Sequence, residues 1–212
     1  MIIKFKKYWR KTSLKKKEDA EFLINHIHNN KPKNFLEIGV FHGVTSRNVC
    51  EILFLIHGHN FKFTGIDLFF ENSKIDKNEY PPITKFSNPL KNLYYQYIIK
   101  LDPYSLNSVL KLLEKFKNNI NIIKGDSNKV LKEIDTSAFD YVFLDGGHKY
   151  ETVQNDLENL TDVIKNNGIV LCDDYNLSYA PGVKKAIDEY VYDKKFSLKI
   201  YRSRFAEIKK TK

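Results

Sequence analysis

The residues able to do chemistry in this chain stand at the ends of short apolar runs. The first run, Phe35-Leu-Glu-Ile-Gly39, opens the pattern Glu37-x-Gly39-x-x-x-Gly43 and passes at once into helical periodicity. A strand, a glycine turn and a helix form the opening of a nucleotide-cofactor fold. Glycines let the backbone pass close to a ligand, and the helix N-terminus offers unpaired N–H groups beside it. Glu37 sets the kind of ligand, because a carboxylate accepts hydrogen bonds from an amine and gives nothing to a pyrophosphate. Phe41 stands where a G-x-G-x-x-G turn needs its middle glycine, which disfavours a nicotinamide oxidoreductase.

Four further runs repeat the arrangement. They end in Asp67, in Asp126-Ser127, in Asp145-Gly-Gly-His148 and in Asp173-Asp174. In an open α/β sheet, ligands bind outside the carboxyl ends of the strands. An acid closing the second strand is placed for ribose hydroxyls. Asp145, Asp173 and Asp174 end two strands expected to be neighbours, and three converging carboxylates suit Mg²⁺. The alternative is that Asp173 caps a turn and Asp174 makes a loop hydrogen bond. His148, three residues after Asp145, is a suitable general base near neutral pH.

The set resembles the class I S-adenosylmethionine-dependent methyltransferases. More narrowly it is similar to the methyltransferase domain 24 group, with macrocin-type and catechol-type O-methyltransferase relatives. The resemblance rests on Glu37-Ile-Gly39-Val-Phe-His-Gly43-Val-Thr45-Ser46, Asp67, Gly125-Asp126-Ser127, Leu144-Asp145-Gly-Gly-His148-x-Tyr150 and Gly168-Ile-Val-x-x-Asp173-Asp174-Tyr175, over roughly residues 30–192. It implies a Rossmann-like α/β fold, with a mostly parallel seven-stranded sheet and helices on both faces. It implies O-methyl transfer to a small hydroxylated acceptor, a sugar or glycan precursor, with the rival of a non-catalytic cofactor-binding protein. Glu37, Gly39, Gly43 and Ser46 then hold the methionine end of the donor, Asp67 its ribose, and Asp126 with Ser127 its adenine side. Asp145, beside the donor, joins Asp173 and Asp174 as a metal ligand and works with His148 in catalysis. Where the catechol-type pattern holds a catalytic lysine, this chain has His148. Some relatives manage without metal, so a metal-independent enzyme acting on another nucleophile is the alternative.

Composition bounds these readings. The 212 residues, 42% hydrophobic and 14% aromatic, suit one globular α/β domain. Cys50 and Cys172 fall in a helix and a strand and read as small buried hydrophobes of a reducing compartment. With no long apolar run and no secretory h-region, the cytoplasm is the expected location. The net charge of +9 is unevenly spread: residues 1–17 carry eight Lys/Arg and no acid, whereas residues 18–183 carry 17 against 22 acids. An acidic middle argues against a nucleic-acid substrate. The basic N-terminal arm reads as solvated, or more sharply as a weak docking segment for an anionic membrane surface or an acidic partner.

The elements follow from periodicity. Residues 1–29 are expected to form a basic arm and lead-in helix, and residues 30–212 the catalytic domain. Helices are expected near 18–29, 44–57, 105–117, 127–134, 150–166 and 181–192, and a C-terminal hairpin from 196–201 and 205–208. Residues 69–107 interrupt the alternation with four of the six prolines and many aromatics. A long loop beside a ligand edge is expected to act as an acceptor lid. Its aromatics equally suit a homo-oligomer contact.

Overall fold

A computed structural model describes residues 4–69 and 85–211 of the chain. Phe70, Tyr80 and the Pro81-Pro82 pair of the expected lid lie outside the described residues. Seven strands form one sheet in the order β3-β2-β1-β4-β5-β7-β6. β1 (Asn34–Ile38), β2 (Lys62–Asp67), β3 (Ile120–Lys124), β4 (Tyr141–Leu144) and β5 (Ile169–Cys172) run parallel. β6 (Ser197–Tyr201) and β7 (Phe205–Lys209) form the expected hairpin, and β7 pairs antiparallel with β5. This is the Rossmann-like sheet implied by the sequence. Strand order reverses between β1 and β4, so the ligand crevice belongs at their carboxyl ends.

The two faces of the sheet carry two cores. On one, α1 (Lys17–Asn30), α2 (Val44–His57) and α4 (Leu106–Leu112) bury Leu23, Ile27, Val49, Leu53 and Val109 against Phe35, Phe63 and Phe143. On the other, α5 (Ser127–Glu133), α6 (Tyr150–Asn159), α7 (Thr161–Lys165) and α8 (Pro181–Lys194) bury Val130, Val153, Leu157, Ile164 and Ile187 against Leu36, Val142 and Val170. Alternate residues of one strand therefore serve opposite cores, as a sheet covered on both faces requires. β4 and β5 are buried along their whole length.

Two elements depart from the sequence expectation. The helix expected over 150–166 breaks at Leu160, where Thr161 Oγ1 donates to Glu158 O at 2.8 Å. The described part of the 69–107 segment is not all loop. α3 (Pro89–Leu93), capped by Asn88 Oδ1, continues into a π-helical turn over Tyr94–Ile99.

The N-terminus is not simply solvated. Leu14 is fully buried in the first core. Arg10 is buried and donates to His42 O at 3.1 Å and to Ser108 O at 2.8 Å. Helix α1 is tied to the hairpin by Phe22 stacked on Phe205 at 4.9 Å and by His26 between Tyr141 Oη (2.7 Å) and Glu207 Oε2 (2.8 Å). Among the described residues no helix is long and apolar enough to cross a membrane.

Candidate active site

The turn after β1 is built by packing. Gly39 has φ +94°, and a Cβ there would lie 1.9 Å from the Asp145 carbonyl oxygen. Gly43, at φ +73°, would bring a Cβ to 3.1 Å from Val109. The close approach that the glycines permit is therefore first to the chain itself, β1 against the end of β4. Glu37 is buried, and its Oε2 accepts from Ser46 Oγ at 2.5 Å. Its Oε1 is enclosed with no hydrogen-bond partner among the described residues. Burial, opposed by the Ser46 hydrogen bond and reinforced by the Asp67 charge, pushes the Glu37 carboxyl up to about 8.

Asp67 closes β2 and is fully engaged. Its Oδ2 accepts from Phe41 N at 2.7 Å, and its Oδ1 from Phe69 N at 3.0 Å and Tyr104 Oη at 2.6 Å. Phe41 and Phe69 sit at φ +52° and +41°, conformations costly for bulky residues, so the carboxylate fixes two strained turns at the carboxyl edge. Asp126 caps α5 by accepting from Asn128 N at 3.0 Å, and Ser127 begins that helix.

At the ends of β4 and β5 the three expected acids do come together, around an arginine. Arg204, on the turn between β6 and β7, donates from Nε to Asp173 Oδ1 at 2.5 Å and from Nη2 to Asp173 Oδ2 at 2.6 Å. Its Nη2 also lies 3.5 Å from Asp174 Oδ1. Asp174, at φ +59°, accepts from Tyr179 Oη on Oδ1 and pairs with His148 Nε2 on Oδ2, each at 2.9 Å. Asp145 Oδ2 accepts from Ser13 Oγ of the N-terminal arm at 2.8 Å. Burial and then the neighbouring charges of Asp173 and Asp174 raise the Asp145 carboxyl well above its usual range. For Asp174 burial works upward, but the bonds from His148 and Tyr179 and the Arg204 charge win and hold it below the usual value.

Two clefts meet at Asp145. One, lined by Gly146, His148, Cys172, Asp173 and Asp174, opens at the β4–β5 end. The other lies between the arm, Lys11 to Ser13, and the turn from Gly39 to His42.

The sequence matches the methyltransferase domain 24 family over residues 36–175, well over half of the chain. The chain belongs to this methyltransferase family. No curated protein sequence matches it. Among solved structures it is similar to a Podospora anserina methyltransferase bound to S-adenosylhomocysteine, at 15% identity and TM-score 0.61, covering 93% of this chain and 80% of that one. It is also similar to a putative caffeoyl-CoA O-methyltransferase from Staphylococcus aureus, at 16% identity and TM-score 0.60, covering 92% and 84%. A third likeness, at 14% identity and TM-score 0.59 with 89% and 77% covered, is to CalS11, a TDP-rhamnose 3′-O-methyltransferase of calicheamicin biosynthesis. At such identities these structures establish the fold.

The methyltransferase takes S-adenosylmethionine as its methyl donor, and its residues fit that molecule at one decisive point. A buried carboxyl oxygen without a partner among the described residues, Glu37 Oε1, is an acceptor that the donor's ammonium group could engage. Mg²⁺ fits less well. Both oxygens of Asp173 and both of Asp174 are taken by Arg204, His148 and Tyr179, and Asp145 holds Ser13. Among the described residues no group of three His, Cys, Asp or Glu is arranged to hold a metal ion. The sequence reading missed Arg204, Tyr179, Tyr104, Arg10 and Ser13. Arg204 lies 30 residues beyond Asp174, inside a basic C-terminus, and only the placement of β7 beside β5 brings it to the acids. Ser13 carries no local signal at all.

Proposed function

We propose that the chain is an O-methyltransferase acting on a small hydroxylated acceptor, a sugar or glycan precursor, with His148 as base and without a divalent metal. The observation that carries this reading is the His148–Asp174 pair, held at the carboxyl edge of β5 beside the cleft that leads to Asp145. S-adenosylmethionine supplies a sulfonium methyl, which the acceptor oxygen takes with its own electron pair as the carbon–sulfur bond breaks to leave a neutral thioether.

Glu37, Gly39, Gly43 and Ser46 place the methionine end of the donor, and Asp67, Asp126 and Ser127 face its nucleoside end. Asp67 can receive ribose hydroxyls once Tyr104 Oη yields its place on Oδ1. Asp174 keeps the proton on His148 Nε2, so Nδ1 is the basic nitrogen that takes the acceptor's hydroxyl proton. Tyr179 fixes Asp174 from the other oxygen and packs edge-on to the His148 ring at 5.7 Å. Arg204 neutralises the carboxylates left inside the site, which a bare cluster could not sustain. Most of the acceleration comes from holding the two reacting atoms in line, and CalS11 shows one sugar hydroxyl that this fold class methylates.

The test is methyl transfer to a panel of sugar nucleotides by the wild type and by His148→Ala. Loss of about 10²–10⁴ in turnover with unchanged binding of S-adenosylhomocysteine is the expected result for a general base. Undiminished turnover in the variant removes His148 from the chemistry.

A further inference from the structure

The lid expected over the acceptor contains a feature the reaction does not use. The continuous helix Pro89–Ile99 turns an apolar stripe outward. Leu90 is 67% exposed, Leu93 51%, Tyr97 63% and Ile98 71%, while Tyr95 faces inward onto Phe86 at 5.1 Å. A helix on a globular domain normally buries its apolar stripe and exposes its polar one; here large apolar side chains at i, i+3, i+7 and i+8 face solvent.

The N-terminal arm continues the same surface. Trp9, 57% exposed, packs edge-on to Tyr94 at 5.7 Å, and Lys91 Nζ lies 5.6 Å above the Trp9 ring and 5.5 Å from that of Phe86. Lys11 binds the Lys85 carbonyl and stands 5.5 Å above Phe86. The two segments that build this surface are rich in lysine. Residues 4–16 and 85–101 together hold ten Lys/Arg and not one Asp or Glu, although residues 18–183 as a whole carry more acids than bases.

We propose that the arm and the helix Pro89–Ile99 form a docking face for an anionic lipid bilayer surface. Exposed Trp, Leu, Ile and Tyr at headgroup depth, ringed by lysines, is the side-chain set of an interfacial helix. Juxtaposed cations add to its hold on anionic lipid, and the hold weakens with salt. The charge also weighs against the simplest rival. A two-fold contact between copies of this chain would set the same patch against itself, placing its exposed lysines opposite lysines of like charge. A bilayer supplies the missing negative charge. The face is independent of which acceptor is methylated, so its test stands apart from that of the reaction.

Trp9 is the only tryptophan of the chain, so its fluorescence reports this face alone. The full chain is mixed with zwitterionic vesicles and with vesicles containing about 30 mol% anionic lipid, at low and at high salt. The expected result is a blue shift and sedimentation with anionic vesicles, at least about tenfold stronger than with zwitterionic ones and reversed by salt. The paired substitution Leu93→Glu with Ile98→Glu, both on exposed positions, is expected to weaken binding at least about tenfold, with binding of S-adenosylhomocysteine unchanged as proof of folding. No binding to anionic vesicles overturns the proposal. Adsorption that leaves Trp9 emission and the paired variant unaffected also overturns it, by moving the contact to other cations. Light scattering that shows a lipid-free dimer, dissociated by the same pair, assigns the face to a second copy instead.

Discussion

Glu37 is the residue through which the donor site is most easily questioned. Its carboxyl is raised to about 8 by burial, so near pH 7 it is mostly protonated before the donor arrives. An ammonium group against Oε1 lowers that pKa, and binding must then release a proton. Affinity for S-adenosylhomocysteine is expected to rise between about pH 6 and 7.5, with up to one proton released per site; above that range the ligand's own amine begins to lose its charge. Calorimetry in buffers of different ionisation enthalpy measures the proton directly. In Glu37→Gln the release should vanish and affinity should fall by about 1.5–3 kcal/mol. A wild type that releases no proton separates Glu37 from the ammonium. The role of Asp67 is read in the same way. Asp67→Ala should cost donor affinity and also stability, because Phe41 N, Phe69 N and Tyr104 Oη all lose their acceptor. At this scale the sequence told where the acids stand but not whom they hold. Strand-end positions follow from local pattern, whereas the partners Tyr104, Ser13 and Arg204 arrive from distant segments.

At the scale of elements, the turn between β1 and α2 shows why a motif can be right for a reason other than the obvious one. Gly39 is required by the Asp145 carbonyl, which a Cβ would meet at 1.9 Å. Gly39→Ala is expected to destabilise the fold by at least about 1–3 kcal/mol, from a positive φ combined with a backbone clash, and a saturating donor should not restore the loss. Thermal melts with and without S-adenosylhomocysteine check this; a variant of native stability would return the glycine to a purely ligand-facing role. The five parallel strands were legible because each reads as a short, mostly apolar run closed by turn residues or an acid, β4 and β5 most clearly. The break at Leu160 was not, because the stripe Val153, Leu157, Leu160, Ile164 stays in register across it. Nor was the helix Pro89–Ile99: Leu90, Leu93, Tyr97 and Ile98 have helical spacing, but they lie in a proline-punctuated segment that read as loop.

Across the whole molecule, charge was legible by amount and misleading by place. The basic ends predicted no site residue, yet Arg10 and Arg204 are among the groups that organise the site, and each is drawn in by partners far along the chain. The buried link from α1 to the sheet gives a test by pH. Burial works against ionisation of Glu207, but His26 and Lys209 outweigh it and pull the carboxyl from 4.5 down to about 2. A depressed folded-state pKa gives stability that is present above about pH 4.5 and is lost as pH falls toward 2. Glu37 has the opposite sign: its raised pKa favours the folded apo protein in acid, an advantage lost as pH rises toward about 8. Glu207→Gln is therefore expected to lower stability near pH 7 by about 1.5–3 kcal/mol and to flatten its decline between pH 4.5 and 2, read by denaturant melts at each pH. An unchanged slope in acid would assign that decline to other carboxylates.

The central reading is methyl transfer to a hydroxyl, by a base pair of His148 and Asp174, in a site whose acids are held by Arg204. The Asp173 carboxylate is held at both oxygens by a guanidinium, which supplies the counter-charge a divalent cation would otherwise bring. The direct measurement is transfer of labelled methyl from S-adenosylmethionine to the accepted hydroxyl, in excess EDTA and again with added Mg²⁺. Equal rates in the two conditions are expected. Activity that disappears in EDTA and returns with Mg²⁺ would contradict the reading and give the three aspartates back to a metal.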